Sequence, residues 1–326
     1  MLSTWLTRTL NLRAPIIGAP MANRSGGRLA RAVTSGGGLG MIGAGSAATP
    51  AWLRENAARA STPDDATQGD AGDGERFGVG LMTWSIDRDR TLFDAVLAER
   101  PAVVSLSFGD PAPYVDDVHD AGALVMSQVN TPADLRLAED AGVDFVVAQG
   151  TDAGGHTGVI GTLPLLQQVL DRASIPVLAA GGIATGRGLA AVLAAGAEGA
   201  VVGTALLGSP EADIPDGLRE RLFAAEAEET VYTRAFDTAM GTPWPHRWGG
   251  RAIHNRFIDE WDGRLDELAH DGHAGDLVRA ANRAGNPDAA GLYAGQGVGM
   301  LSDGAPAADV VARMATDAEA LLGRRF

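Results

Sequence analysis

Short apolar runs alternate with segments of helical pattern through the first part of this 326-residue chain, and this alternation is the strongest constraint on its fold. It is typical of a parallel α/β sheet, in which a helix connects each strand to the next. Eight strand-like runs begin near Pro15, Leu39, Phe77, Ala102, Ala123, Phe145, Pro176 and Ala200. Runs such as Phe145–Ala148 and Val177–Ala180 are apolar at every position. That pattern predicts strands that are buried on both faces.

The segments between these runs have helical patterns. They lie at 27–35, 50–60, 87–99, 131–141 and 186–195. Eight strands with crossover helices over about 200 residues predict a (β/α)8 TIM barrel, and a doubly wound sheet is the alternative that strand number alone leaves open.

Two stretches interrupt the alternation. Residues 61–75 are rich in Gly and Asp, and we interpret them as a mobile surface insertion. Residues 210–291 hold three of the six Trp and four of the six His, and they predict a smaller, mainly helical cap subdomain over the catalytic face. The barrel then comprises 1–209 plus 292–326, with a last helix, 307–323, packed back on it.

Two missing residue types exclude whole classes of chemistry. The chain has no Cys, so disulfides, thiolate nucleophiles and iron–sulfur ligands are excluded. It also has no Lys, since all 26 cationic side chains are Arg. Schiff-base catalysis and a P-loop lysine are therefore excluded too. No paired histidine spacing suggests a protein-bound metal.

The charge balance indicates the kind of partner to expect. The net charge of −15, without a basic run, argues against nucleic acid and anionic membranes as partners. No apolar stretch has membrane-spanning length, and residues 1–10 lack the pattern of a signal peptide. We expect a cytoplasmic protein that acts on small molecules, and the sequence leaves its oligomeric state open, a homodimer included.

Glycine-rich turns follow the last two strand-like runs. Gly181 and Gly182 allow a close approach of the backbone, and Gly186 opens a helix with free N–H groups. Gly203 and Thr204 add amides and a hydroxyl from the next loop. Phosphate sites recur at this place in TIM barrels, so the paired turns predict a phosphate site. A lone Gly-Gly would instead favour simple tight turns.

His156 is the strongest candidate for a catalytic side chain. It lies in the loop Gln149–Gly158 (Q-G-T-D-A-G-G-H-T-G), directly after a buried strand. An imidazole in such a loop can face a bound ligand and transfer protons near neutral pH. A capping or surface histidine is the alternative.

Five segments together resemble the nitronate monooxygenase family, formerly called 2-nitropropane dioxygenases. They are Pro15–Met21 (P-I-I-G-A-P-M), the His156 loop, Ala180–Arg187 (A-G-G-I-A-T-G-R), Gly203–Thr204 and Tyr293–Gly299 (Y-A-G-Q-G-V-G). Members of this family are flavin-dependent barrels, and the resemblance covers most of the chain.

The resemblance implies an FMN cofactor and assigns residues to it. His156 matches the catalytic histidine of the family. The residues implied to bind the cofactor are Ala19, Pro20, Met21, Gln149, Gly154, Gly181, Gly182, Gly203, Thr204 and Gln296. In this scheme the two glycine turns hold the phosphate, the Ala-Pro-Met segment lies under the flavin ring, and the glutamine near the C-terminus closes over it.

The chain departs from the family pattern at two positions. Asp152 stands where the family usually has Glu, and Gly80 stands where many members have Asn. One contact to flavin or substrate is therefore missing or comes from another residue, for which Trp84 is a candidate.

The resemblance implies oxidation of alkyl nitronates, or of nitroalkanes, by O2 to a carbonyl compound and nitrite. The first alternative is an enoyl-thioester reductase of the same superfamily that uses FMN and NAD(P)H. The second alternative is a barrel that binds phosphate and has no catalytic activity.

Overall fold

A computed structural model describes residues 2–62, 76–301 and 304–324 of the chain. Its strands in chain order are β1 (Ile16–Gly18), β2 (Met41–Gly43), β3 (Gly78–Met82), β4 (Val103–Ser107), β5 (Leu124–Val129), β6 (Phe145–Gln149), β7 (Gly155–Thr157), β8 (Val177–Ala180), β9 (Ala200–Val202), β10 (Thr230–Thr233) and β11 (Gly249–Ile253). The predicted insertion, 61–75, lies outside the described residues from 63 onward.

The helices surround these strands. In chain order they are α1 (Trp5–Leu10), α2 (Gly27–Ser35), α3 (Pro50–Ser61), α4 (Thr83–Ile86), α5 (Thr91–Ala98), α6 (Ala112–Asp120), α7 (Pro132–Asp140), α8 (Thr162–Leu170), α9 (Gly186–Ala194), α10 (Thr204–Leu207), α11 (Asp216–Phe223), α12 (Ala235–Met240), α13 (Arg256–Trp261), α14 (Leu265–Leu268), α15 (Ala274–Ala284) and α16 (Ala307–Leu322). None of the helices in the described ranges combines the length and apolarity needed to cross a bilayer.

Eight of the described strands form one parallel sheet that curls into a nearly closed barrel. Their order is β1-β9-β8-β6-β5-β4-β3-β2. The N–H of Gly18 donates to the carbonyl of Leu39, and the N–H of Leu39 donates to the carbonyl of Ile16, each at 2.9 Å. These bonds join β1 to the residues just before β2 and so bring the two edges together. The predicted TIM barrel is confirmed, and all eight predicted strands are present.

One predicted helix begins later than expected. The pattern predicts a helix over 87–99, whereas the chain first forms the short α4 and then α5 from Thr91. The Asp89 carboxylate accepts the N–H of Thr91 at 2.9 Å. This side chain satisfies a free backbone donor at the start of α5.

Apolar side chains fill the barrel interior, and α1 closes its N-terminal end. Leu6 and Leu10 of α1 belong to the same buried cluster as Met41, Phe145 and other inward-facing strand residues. The ring of Trp5 packs on that of Phe145, with centroids 5.3 Å apart. The interior is thus a packed core rather than a pore, and the opposite, carboxyl end of the strands is left for a ligand.

Residues 210–291 contain helices α11 to α15 together with β10 and β11. Strand β11 pairs with both β10 and β7 in a small antiparallel sheet, with Gly250 opposite His156. This pairing attaches the segment, here called the cap, to the loop that follows β6. The domain boundaries at 209 and 291 stay a prediction.

Replacement of Phe145 by Ala should destabilise the protein by about 3–5 kcal/mol, because it removes a fully buried ring from the barrel interior. The matched control is Leu137→Ala on the exposed face of α7, which should change stability by less than about 0.5 kcal/mol. Urea unfolding followed by circular dichroism measures both. Equal shifts for the two variants would contradict a packed interior.

Candidate active site

A cavity of about 850 Å³ opens at the carboxyl ends of the barrel strands, beneath the cap. Ten of the eleven residues predicted for the site line it: Ala19, Pro20, Met21, Gln149, Gly154, His156, Gly181, Gly182, Gly203 and Thr204. The eleventh, Gln296, has an exposed side chain and lies outside the lining. The structure therefore brings these residues, which are far apart in the sequence, together at one end of the barrel.

The turn after β8 adopts a backbone conformation that favours glycine. Gly181 and Gly182 have φ angles of 112° and 68°. A Cβ atom on Gly181 would lie 2.4 Å from the Thr162 hydroxyl, so this residue has no room for a side chain. The turn leads into α9, where Thr185 Oγ1 accepts the N–H of Gly188 and the N–H groups of Gly186 and Arg187 have no partner within the helix. Thr204, the first residue of α10, accepts the N–H of Gly295 through its hydroxyl oxygen at 3.0 Å. These adjacent turns form a cradle suited to an anion.

A chain of hydrogen bonds orients Gln149 at the end of β6. The Trp248 indole N–H donates to Asn130 Oδ1 at 3.0 Å, and Asn130 Nδ2 donates to Gln149 Oε1 at 3.2 Å. Since the amide oxygen of Gln149 is occupied, its amide nitrogen remains the group that can donate to a ligand.

Gln128 supplies a second amide at the cavity wall. It lies in β5, lines the cavity, and its buried Nε2 has no hydrogen-bond partner in the protein. Buried polar groups are almost always paired, so an orphaned donor in a cavity wall points to a ligand acceptor. No pattern in the sequence distinguishes Gln128 as a site residue.

The two departures from the family pattern have structural explanations. A Cβ atom on Gly80 would lie 2.4 Å from Pro20 Cβ, so a larger residue there would clash. The Asp152 side chain accepts the N–H of Thr162 at 2.9 Å, at the start of α8. Asp152 thus caps a helix and does not line the cavity. Trp84, the candidate for a replacement contact, also lies outside the lining and packs edge-on against Trp244.

His156 forms a hydrogen-bonded pair with a carboxylate from the cap. Its Nε2 lies 2.8 Å from Oδ2 of Asp237 in α12, and the two side chains are 10% and 5% exposed. Burial, together with the Asp237 carboxylate, also raises the pKa of Tyr293 well above its usual value. The Tyr293 hydroxyl therefore stays protonated.

The hydrogen-bond pattern assigns the tautomer of His156. A carboxylate only accepts hydrogen bonds, so Nε2 must carry a proton toward Asp237. In the neutral ring the lone pair then lies on Nδ1, which is the nitrogen that can take up a proton. The ring of Trp244 stacks on the imidazole at 3.5 Å with an interplanar angle of 8°. His156 is held by a carboxylate at one edge and an indole on one face.

Comparison with known proteins identifies the family of this chain. The profile of the family described as nitronate monooxygenase matches residues 3–317. The chain belongs to the nitronate monooxygenase family. A nitronate monooxygenase from Pseudomonas aeruginosa is 33% identical over 346 aligned positions, which cover 94% of this chain and 96% of that protein.

Two solved structures are similar over nearly the whole chain. FabK from Thermotoga maritima superposes with a TM-score of 0.84 at 28% identity, covering 99% of this chain and 98% of that one. A nitroalkane oxidase from Streptomyces ansochromogenes superposes with a TM-score of 0.78 at 31% identity, covering 95% and 96%. The predicted family is confirmed, and the protein is a flavin-dependent oxidoreductase.

The polar groups that line the cavity fit a flavin. It offers an anion cradle at one side, an orphaned amide donor at Gln128, and a second free amide at Gln149. Within the described residues, no group of three or more His, Asp or Glu side chains is arranged to hold a metal ion.

Replacement of Gly182 by Val should lower the flavin content of the purified protein, because the side chain would strain the turn and keep a phosphate away from its amides. Gly122→Val is the matched control, since Gly122 also has a left-handed φ, 81°, but faces open space away from the cavity. The ratio of flavin to protein absorbance measures both. Full flavin content in Gly182→Val would show that the phosphate binds elsewhere.

Proposed function

We propose that the protein oxidises alkyl nitronates with O2 to a carbonyl compound and nitrite, using FMN. The observation that carries the proposal is the cavity at the barrel mouth, where an anion cradle and the orphaned amide of Gln128 suit a flavin beside the His156–Asp237 pair. The membership of this chain in the nitronate monooxygenase family supports the same reaction.

Residues of the barrel would hold the cofactor. The amides around Gly182 and Gly203 suit its phosphate, and the side chains of Gln128 and Gln149 suit the carbonyl groups and ring nitrogens of a flavin. Ala19 to Met21 would form the wall beneath the ring. When bound, FMN supplies the redox chemistry, while the protein binds, orients and shields the reactants.

His156 would act on the proton that distinguishes a nitroalkane from its nitronate. A nitronate has already lost its α-proton and needs no base. A neutral nitroalkane must transfer that proton, and Nδ1 of His156 can accept it as Asp237 offsets the new charge on the ring. Because the chain has no Lys or Cys, histidine is the natural base at this site.

Enoyl-thioester reduction with FMN and NAD(P)H is the second candidate. The observation that favours it is the cavity of about 850 Å³, near the upper end of the range for a single small-molecule site, which leaves room for a second large ligand beside a flavin. Rapid bleaching of the bound flavin by NADPH without O2 would favour this candidate. Slow bleaching, together with oxygen uptake on a nitronate, would favour the first.

Replacement of His156 by Asn should reduce turnover of neutral nitroalkanes by about 10²–10⁴-fold, the usual contribution of a positioned base. Turnover of a pre-formed nitronate should fall far less, and flavin content should stay close to that of the wild type. Oxygen uptake with both forms of one substrate measures the difference. Equal losses on both forms would indicate that His156 binds the nitro oxygens rather than the proton.

The variant Asp237→Asn changes the tautomer of the His156 imidazole while the imidazole itself stays in place. An asparagine can present an N–H to Nε2 and so favour the tautomer with a proton on Nδ1, which cannot act as a base. We therefore expect a selective loss on the nitroalkane here too, smaller than for His156→Asn. An unchanged rate would remove Asp237 from the mechanism and leave the assignment of His156 intact.

A further inference from the structure

Four aromatic side chains form one cluster at the side of the cavity where β3 and β4 end. They are Trp84, Phe108, Trp244 and Trp248, here called the aromatic cluster. The ring of Phe108 packs edge-to-face with those of Trp244 and Trp248, with centroids 4.9 and 5.4 Å apart. Trp84 packs on Trp244 at 5.2 Å. Aromatic residues make up only 5% of the chain, yet three of its six Trp lie here. The cavity therefore has one strongly aromatic side.

Two rings of the aromatic cluster are buried in the protein, and the other two face the cavity. Trp84 and Trp248 are buried and lie outside the cavity lining. The guanidinium carbon of Arg247 covers Trp248, 4.2 Å from its ring centroid. Phe108 and Trp244 line the cavity and are only half-buried. Part of their ring surface is therefore available to a ligand.

Phe108 is held at the cavity by a backbone conformation that is rare for a bulky residue. It directly follows β4, and its φ angle is 66°, in the left-handed region. The Thr83 hydroxyl donates to the carbonyl of Ser107 at 3.0 Å and so fixes the chain just before it. Strained conformations of this kind cluster at active sites and ligand clamps. The position of the Phe108 ring is thus consistent with a role in ligand binding.

The strand ends beside Phe108 offer apolar contact rather than charge. Among the described residues, β3, β4 and β5 contribute no charged side chain to the lining. The hydroxyls of Ser105 and Ser107 lie 3.0 Å apart, and Ser107 Oγ also accepts the N–H of Gln128 at 3.1 Å. These hydroxyls are therefore already paired, while the free side-chain amide of Gln128 belongs to the proposed flavin site. The thioether of Met82 adds a group that packs well against aromatic rings.

The aromatic side of the cavity extends to the reacting position. Trp244 stacks on the imidazole of His156 at 3.5 Å, and Phe108 contacts the same indole. One ring therefore separates Phe108 from the proposed base. An aromatic group one or two carbons from the reacting carbon can reach Phe108, whereas the methyl group of nitroethane is too short.

We propose that Phe108 and Trp244 form an aryl-binding subsite, so that the preferred substrates are nitronates whose aromatic ring is one or two CH2 groups from the nitro-bearing carbon. The inference deepens the proposed function and rests on it. Aromatic rings pair edge-to-face or offset, and such pairs stabilise a complex beyond the burial of apolar area. Phe108 is then a specificity-determining residue that takes no part in proton transfer.

A comparison of nitronates on the flavin-loaded enzyme tests the proposal. The compounds are the nitronates of 2-phenyl-1-nitroethane, 2-cyclohexyl-1-nitroethane and nitroethane. We expect kcat/KM for the phenyl compound to exceed that for nitroethane by about tenfold or more, because a ring is buried. It should exceed that for the cyclohexyl compound by about threefold, because only an aryl ring gains the edge-to-face contact. Oxygen uptake measures all three.

Two results of this comparison would overturn the subsite. One is an equal kcat/KM for the phenyl and cyclohexyl compounds. The other is a higher kcat/KM for the nitronate of 3-nitropropanoate, which carries a carboxylate in place of the ring and would indicate that a charged group occupies this part of the cavity.

The variant Phe108→Leu removes the ring and keeps an apolar side chain. We expect the ratio of kcat/KM between the phenyl and cyclohexyl compounds to fall to about one, because the edge-to-face contact is lost. Phe223→Leu is the matched control, since Phe223 is a half-buried phenylalanine of α11 outside the cavity lining, and it should keep the wild-type ratio. Circular dichroism checks that both variants fold. An unchanged ratio in Phe108→Leu would contradict the proposal.

Binding of carboxylates separates this inference from the proposed function. A carboxylate has the planar pair of oxygens of a nitronate but does not undergo its oxidation. We expect isothermal titration calorimetry to show tighter binding of 3-phenylpropanoate than of 3-cyclohexylpropanoate, and this difference should disappear in Phe108→Leu. That result without turnover of any nitronate would support the subsite while the proposed function fails. Turnover of nitronates without a preference for the aryl compound would overturn the subsite and leave the proposed function intact.

Discussion

The hydrogen bond between His156 and Asp237 is the contact on which the proposed chemistry of this site depends. It joins the loop after β6 to α12 of the cap, and its two side chains come from parts of the chain 81 residues apart. Pairing of β7 with β11 and the buried side chain of Arg251, which donates to the carbonyls of Thr151 and Thr230, hold the same junction. The base is therefore oriented only when barrel and cap are assembled together.

Barrel and cap contribute differently to the cavity. The barrel contributes backbone amides and the neutral amides of Gln128 and Gln149, which suit a flavin whose redox chemistry is its own. The cap contributes Asp237, the stacked ring of Trp244 and the charged face of α15. The side chains expected to hold the cofactor therefore come from the barrel, and the cap adds side chains expected to meet the substrate.

Local patterns in the sequence predict the barrel, its two glycine turns and the His156 loop, whereas Ala19 to Met21, Gln149 and Gly154 were assigned only by the family resemblance. Continuous apolar runs mark buried parallel strands, and the carboxyl ends of such strands meet at one mouth. Asp237 and Gln128 were missed because no local sequence pattern distinguishes them from other acids on helices or other amides in strands. Asp237 is recognised only from its hydrogen bond to His156, which forms when the cap packs on the barrel. Gln128 is recognised only because its buried amide nitrogen has no hydrogen-bond partner. Gln296 was placed by resemblance, and its side chain is exposed.

The visible absorption spectrum of the purified protein, together with the mass of the released cofactor, shows whether the cavity binds FMN. We expect a yellow protein that releases FMN at one molecule per chain, because the anion cradle and the free amides of the cavity fit one flavin with a single phosphate. A colourless protein that takes up no FMN on reconstitution would contradict a flavin site at the barrel mouth.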